Sequence, residues 1–468
     1  MTLGFSPCRN AGALDVFHTE ATVPAIPAAH LLDGDLAAPC VSRALSTPLP
    51  LFEAIEHTLC DSARTRAAWQ SVKAAAASVG VNQAAYLPTL DGSANYSAER
   101  YSTAARESPQ LQNSYSQPVY SASLSMTWLL YDFGGRRAAL RGSRELLVAA
   151  RATQDATLQA ALLNTAKDYY HAQAAAAQIQ AARRIEADTR LVLDAAGARY
   201  TTGVAPITDQ LQATTAHAQA LYQQTLADGA FLLARGALAV DMNLSPETPL
   251  VLPDLEQGTL PDLGFVHAVH DLVDEATRTH PTILAAKAQW EAALADVDAA
   301  KAAGLPKLQL SGAVSASDSP VSASLGQPEL PAVSRQRSIG LSLSFPLFAG
   351  FSTTYRIRQA KALADEQAMT LRDTEQQVAL NVWSSFQALQ TDTDNLRNTD
   401  EILKSARQAF EAAQQRYKRG VGSILEMLGV ESSLATAEQL QIQAQSDWRA
   451  ARLTLAASLG SLGTWAIK

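Results

Sequence analysis

Arg199-Tyr-Thr-Thr-Gly-Val204 returns 217 residues later as Arg416-Tyr-Lys-Arg-Gly-Val421. In each copy the glycine stands where a helix would stop, because glycine enters the left-handed conformation of a helix C-terminus without steric cost. Working outward, Tyr169 and Phe386 share the same offset. Trp128-Leu-Leu-Tyr-Asp-Phe133 answers Phe345-Pro-Leu-Phe-Ala-Gly350, with Tyr131 and Phe348 again 217 apart, and Leu87-Pro88 precedes Leu305-Pro306 by 218. A near-constant offset across four landmarks is an internal repeat.

Each repeat contains a stretch built for one long helix. Residues 143–196 and 351–419 hold neither Gly nor Pro and are rich in Ala, Gln, Leu, Arg and Glu, all good helix formers. At about 1.5 Å per residue they would run roughly 80 and 100 Å, far beyond the mean helix of about 11–12 residues. Leu158, Leu162, Ala166, Tyr169 and Ala172 form one stripe at spacings of three and four, and Leu363, Val382, Phe386 and Leu389 mark a similar seam. Alanine fills much of the rest, which suits a helical wall touching neighbours on both sides better than a two-stranded coiled coil with strict a and d leucines.

Ahead of each long helix the period changes from 3.6 to 2. In Tyr120-Ser-Ala-Ser-Leu-Ser-Met-Thr-Trp-Leu-Leu130 the even positions are apolar, and positions 121, 123, 125 and 127 are Ser or Thr. Ser338–Leu347 repeats the alternation with Ile339, Leu341, Leu343, Phe345 and Leu347, and weaker versions run through Leu90, Gly92, Ala94 and Tyr96 and through Leu308, Leu310, Gly312 and Val314. Segments of about ten alternating residues mark transmembrane β-barrel strands. Alternation alone fits a soluble antiparallel sheet with one wet face equally well. The flanking Trp128, Tyr131, Phe133, Phe348 and Phe351 favour a membrane interface. Four strands cannot close, and an open sheet edge is not tolerated in lipid. Three chains would supply 12 strands, an even number within the range of closed barrels.

The repeat divides the chain into residues 1–50, an N-terminal extension or export segment; 51–240, with a helix, a β-hairpin at 88–131 and long helices at 134–200 and 206–240; a linker at 241–265; and 266–463, with a helix, a hairpin at 306–348 and long helices at 351–419 and 423–460. Composition narrows the class further. The 468 residues are 47% hydrophobic and 18% charged with a net charge of −8, which excludes an acidic disordered chain. No apolar run reaches the length of a helical membrane span. A negative balance without a Lys/Arg block argues against a nucleic-acid partner. Cys8, Cys40 and Cys60 are odd in number and clustered, giving neither a disulfide framework nor a zinc site. Leu36-Ala-Ala-Pro-Cys40 looks superficially like a lipoprotein signal, but Pro39 spoils it, and residues 1–20 show no basic region followed by an apolar one.

Chemical motifs are scarce. His267 and His270 stand three apart without a supporting carboxylate–cysteine set, and Gly134-Gly135-Arg136-Arg137 lacks phosphate-loop spacing; surface histidines and a flexible strand-to-helix turn account for them. The sequence predicts no enzyme and no cofactor.

Together these residues resemble the TolC-type outer-membrane channel family. The resemblance is carried by Leu87-Pro88 and Leu305-Pro306, by the junctions Tyr131-Asp-Phe-Gly-Gly135 and Leu347-Phe-Ala-Gly350, by the paired turns, and by His280-Pro281 where the family usually has Asn-Pro. It covers about residues 51–463. It implies a mainly α homotrimer whose 12-stranded outer-membrane barrel, four strands per chain, continues into a long periplasmic α-helical tunnel. It also implies a Gram-negative outer-membrane location, an exported substrate, a periplasmic membrane-fusion adaptor, an inner-membrane ABC transporter and surrounding outer-membrane lipid. The turns would form the periplasmic entrance and adaptor contact around Gly203, Val204, Gly420 and Val421. Asp209 and Tyr417 match the family's interacting gate pair, and Glu426 an acidic position lining the constriction. Gly422 and Gly429 stand where some members carry Arg and Asp, which leaves Arg419 as the candidate replacement cation. The expected function is the exit duct of type I secretion, exporting a protein toxin. A drug or metal efflux duct shares every tunnel feature, and a soluble coiled-coil scaffold is the third reading, which the alternating strands disfavour.

Overall fold

The computed structural model describes residues 15–24, 45–103, 113–255, 269–318 and 332–462. Within them one series of elements occurs twice. Helices α1 (Leu51–Asp61) and α2 (Ala63–Ala84) lead into strands β1 (Thr89–Thr103) and β2 (Asn113–Tyr131), then helices α3 (Gly135–Thr201) and α4 (Ile207–Asp241). Helices α5 (Val269–Thr279) and α6 (Pro281–Ala302), strands β3 (Lys307–Asp318) and β4 (Val333–Ser344), and helices α7 (Ser352–Lys418) and α8 (Ile424–Ser458) follow. The helices match in length one for one: 11, 22, 67 and 35 residues in each half.

Two compact units are present, and each draws on both halves. One comprises Met1–Thr22, Ala74–Val148 and Ala288–Met369; the other comprises Val23–Lys73, Ala149–Lys287 and Thr370–Lys468. The first holds the sheet, antiparallel throughout in the order β1-β2-β3-β4. Its register keeps the two kinds of residue apart. Leu90 pairs with Met126, Gly92 with Leu124 and Ala94 with Ala122; Leu124 then pairs with Val314 and Trp128 with Leu310; Leu310 and Leu308 pair with Leu341 and Leu343. Serines fall together on the opposite face, with Ser93 Oγ and Ser123 Oγ 2.8 Å apart. β4 ends at Ser344 rather than running through Leu347 as the alternation suggests. Pro346 offers no N–H and restrains the residue before it, so the ladder stops there.

Each β-hairpin turns into its long helix through left-handed residues, Phe133 and Gly134 in one half and Gly350 and Phe351 in the other. At the first junction Asp132 accepts a hydrogen bond from the Arg136 backbone N–H (2.7 Å). The Arg136 guanidinium donates to the carbonyls of Leu129 (2.6 Å) and Leu130 (3.1 Å) and lies 4.7 Å from the Tyr86 ring centre. Gly134-Gly135-Arg136-Arg137 is therefore a structural corner.

The second unit is held by the helix seams. Leu158, Leu162, Ala166, Tyr169 and Ala172 are all buried, and the Tyr169 hydroxyl donates to the Leu49 carbonyl (2.8 Å). In α7, Val382 is buried and Phe386 packs beside it. Leu363 does not belong to that seam, being half exposed in the other unit. His280 takes over the work of an N-capping residue, because its Nδ1 receives the Thr282 backbone N–H (3.3 Å) just before α6. Gly460 closes over it at φ +69; a Cβ there would lie 2.8 Å from the His280 Cα, so both conformation and space require glycine. Cys60 corrects the reading of the cysteines, since it is disulfide-bonded; Cys8, Cys40 and His267 lie outside the described residues. His270 has only Asp274 beside it (3.8 Å), and no metal-binding group of His, Cys, Asp and Glu forms among the described residues.

Candidate functional site: the paired helix turns

Both long-helix turns are built alike. Gly203 (φ +75) donates its N–H to the Tyr200 carbonyl (2.9 Å) and Val204 donates to Arg199 (2.9 Å), while Gly420 (φ +76) and Val421 donate to Tyr417 (3.0 Å) and Arg416 (3.0 Å). These backward bonds satisfy carbonyls that the helix end leaves free. The restarts differ. Pro206 precedes α4 without a side-chain cap, whereas the Ser423 hydroxyl caps α8 by accepting from the Glu426 N–H (3.1 Å).

The two turns pack into one tip. Val192, Ala196, Ala213, Ala413, Ile424 and Met427 form its buried cluster, flanked by Tyr417. Arg199, from the first turn, lies 5.0 Å from the Tyr417 ring centre, and its guanidinium comes beside Gly420. Arg416, its counterpart in the second half, pairs with Glu426 at 3.6 Å. Neither arginine stood out in the sequence, although both occupy the repeated Arg-Tyr motif.

Asp209 and Tyr417 are half-buried, and among the described residues no hydrogen bond joins them within the chain. The Asp209 backbone N–H instead donates to the Pro206 carbonyl (3.1 Å). Val204 and Val421 are exposed at the turns. At Gly422 a Cβ would sit 3.0 Å from the Tyr417 backbone N, so any side chain there must first displace the backbone of the preceding turn. Arg419 is exposed, as is Gly429.

Deeper along the same helices lies a carboxylate that the sequence did not single out. Glu431 of α8 is 5% exposed, and among the described residues neither of its side-chain oxygens has a hydrogen-bond partner. Burial first, and then the charge of Asp188 on α3, push its pKa up from 4.5 to about 7. Burial raises the Asp188 pKa too, opposed by nearby Arg184. Glu438 binds Arg184 (3.6 Å) and Arg407 (3.9 Å), so these helices are joined by polar contacts as well as by alanines.

A family model described as outer membrane efflux protein matches residues 54–242 and 272–461. Protein CyaE of Bordetella pertussis (strain Tohama I) is 32% identical over 436 residues, covering 91% of this chain and 88% of that protein. Outer membrane protein TolC of Escherichia coli (strain K12) is 25% identical over 389 residues, covering 80% and 75%. The solved structure of the outer-membrane channel OprN superposes with a TM-score of 0.75 at 22% identity, covering 88% of this chain and 90% of that one.

Proposed function

The chain belongs to the outer membrane efflux protein family, and on that premise we propose that it is the exit duct of a tripartite type I secretion system that releases a protein toxin. Members of this family are outer-membrane channels and not enzymes. The observation that carries the duct reading is the register of the sheet, which gathers apolar side chains on one face and serines on the other. Such a sheet meets lipid outside and water inside once its edges are paired. Three copies closing through β1 and β4 give the 12-stranded barrel, and the helices continue it into the periplasm. The preference for a protein cargo rests on the likeness to Protein CyaE. Cells lacking this chain should retain the toxin that a neighbouring inner-membrane ABC transporter and adaptor deliver. Unchanged toxin in the medium together with new sensitivity to dyes or solvents would replace this reading with small-molecule efflux.

The helix turns are the periplasmic entrance and the adaptor contact in this reading. Asp209 and Tyr417 hold neighbouring helix pairs together in the trimer, and three copies of Glu426 surround the narrowest point. Fixed negative charge in a constriction favours cations. Glu426→Gln should therefore reduce the reversal potential in a salt gradient across planar bilayers by roughly half or more. Arg416→Gln, which frees Glu426 from its cation, should move it the other way. Identical potentials for all three proteins would place the selectivity elsewhere.

A further inference from the structure

The apolar face of the sheet carries three arginines. Side chains alternate between faces along a strand, so on β4 the residues sharing a face are Val333, Arg335, Arg337, Ile339, Leu341 and Leu343. The pairings agree: Arg337 stands opposite Val314 and Arg335 opposite Ala316, which stand opposite Leu124 and Ala122. On β1 the same face runs Leu90, Gly92, Ala94, Tyr96, Ala98 and Arg100. All three arginines are exposed. Among the described residues none has a carboxylate within ion-pairing distance, and the one acid on that face of the four strands is Asp318, opposite Val333.

The aromatics mark where the arginines stand along the strands. Tyr96 and Tyr120 pair across β1 and β2 with ring centres 5.1 Å apart, and the Tyr120 row continues through Asp318 to Val333. Trp128 and Tyr131 mark the other margin, at the ends that lead into the helices. Strands tilted by roughly 40° climb about 2.5 Å per residue, so Tyr120 and Tyr131 bracket about 25–30 Å, the height of an outward apolar band between its aromatic girdles. Arg335 lies two residues inside the tyrosine row, close enough for its long side chain to reach the interface; Arg337 lies four residues inside, in the row of Leu124, and reaches the interface only by extending along the strand towards Arg335. That margin is remote from the helices, on the outer side of the membrane. An arginine on the lipid face costs least near the interface, and two guanidinium forks on one strand suit bidentate recognition of phosphate.

We propose that Arg335 and Arg337 form a binding site for the phosphate groups of outer-leaflet lipid headgroups. The site rests on the reading above that the apolar face meets lipid. It gives the assembled channel a charge-specific grip on the outer leaflet at each seam between copies, in addition to the unspecific fit of its apolar band.

The test uses full-length trimers in neutral detergent, with binding of lipid A followed by native mass spectrometry. Wild type should prefer phosphorylated over dephosphorylated lipid A, and the Arg335→Gln/Arg337→Gln variant should bind the phosphorylated form roughly tenfold or more weakly. Millimolar inorganic phosphate should not compete. Carbonate-washed outer membranes should hold both proteins equally, which keeps the lipid-facing reading intact whatever the binding result. An undiminished preference in the variant overturns the proposal, and so does full competition by inorganic phosphate, which would make this a soluble-anion site. Loss of wild-type protein on carbonate washing would remove the lipid-facing reading and the proposal with it.

Discussion

Leu124→Arg is expected to destabilise the inserted channel by about 2–4 kcal/mol per chain. Leu124 lies on β2 midway between Tyr120 and Trp128 and pairs with Gly92 and Val314 on the apolar face. Its guanidinium would sit near the bilayer midplane, four residues from either girdle. Ser123→Arg, one residue away, should be much milder, because Ser123 belongs to the face that holds Ser93 and Ser315. Leu341→Arg, in the Trp128 row on β4, should cost less than Leu124→Arg, because a charge on the lipid face costs less near the interface. Urea titrations of trimers refolded into lipid vesicles read the difference. Equal losses on the two faces would overturn the assignment of lipid and lumen.

The stability of the helical unit should fall as the pH rises through about 7, the value to which burial and Asp188 raise Glu431. A carboxyl whose folded pKa exceeds its unfolded value prefers its proton in the folded state. Its contribution is complete below pH 4.5 and disappears as the pH climbs through the folded value, for a total of about 3 kcal/mol. Glu431→Gln keeps the shape and removes the charge. The variant should therefore be more stable than wild type above pH 8, and the two should converge towards pH 4–5. Asp188, shifted in the same direction, will leave some slope in the variant. Thermal midpoints across pH 5–9 measure this, and parallel curves for the two proteins would show that Glu431 does not ionise at a cost.

The repeat made the architecture readable. A shared offset, two stretches free of Gly and Pro, and alternating segments ahead of them were enough to order every long element, because each rests on local periodicity. Strand ends were less legible. β4 begins at Val333, five residues before the clean alternation at Ser338, since the arginines at 335 and 337 break the apolar pattern while keeping its parity. That break is what made the cations of the apolar face invisible to a search for hydrophobic alternation. Glu431 could not be picked out either, as one of three glutamates in an Ala- and Gln-rich helix reads as solvated until its neighbours are placed. The Asp209–Tyr417 pair came from family likeness, and within one chain the Tyr417 ring is covered by Arg199 instead.

The equal helix lengths in the two halves impose a rule on how this chain can change. The turn at residue 203 and the turn at residue 420 meet through Ala196, Ala213, Ala413, Ile424 and Met427, so the tip exists only while both hairpins reach the same distance. Removing one turn from α3 and α4 would draw that tip back by about 5.4 Å and separate it from its twin. An insertion or deletion in one half therefore needs a matching edit in the other, much as a cooper must trim every stave of a cask together. Substitutions can drift independently in the two halves, but length is inherited as a matched pair.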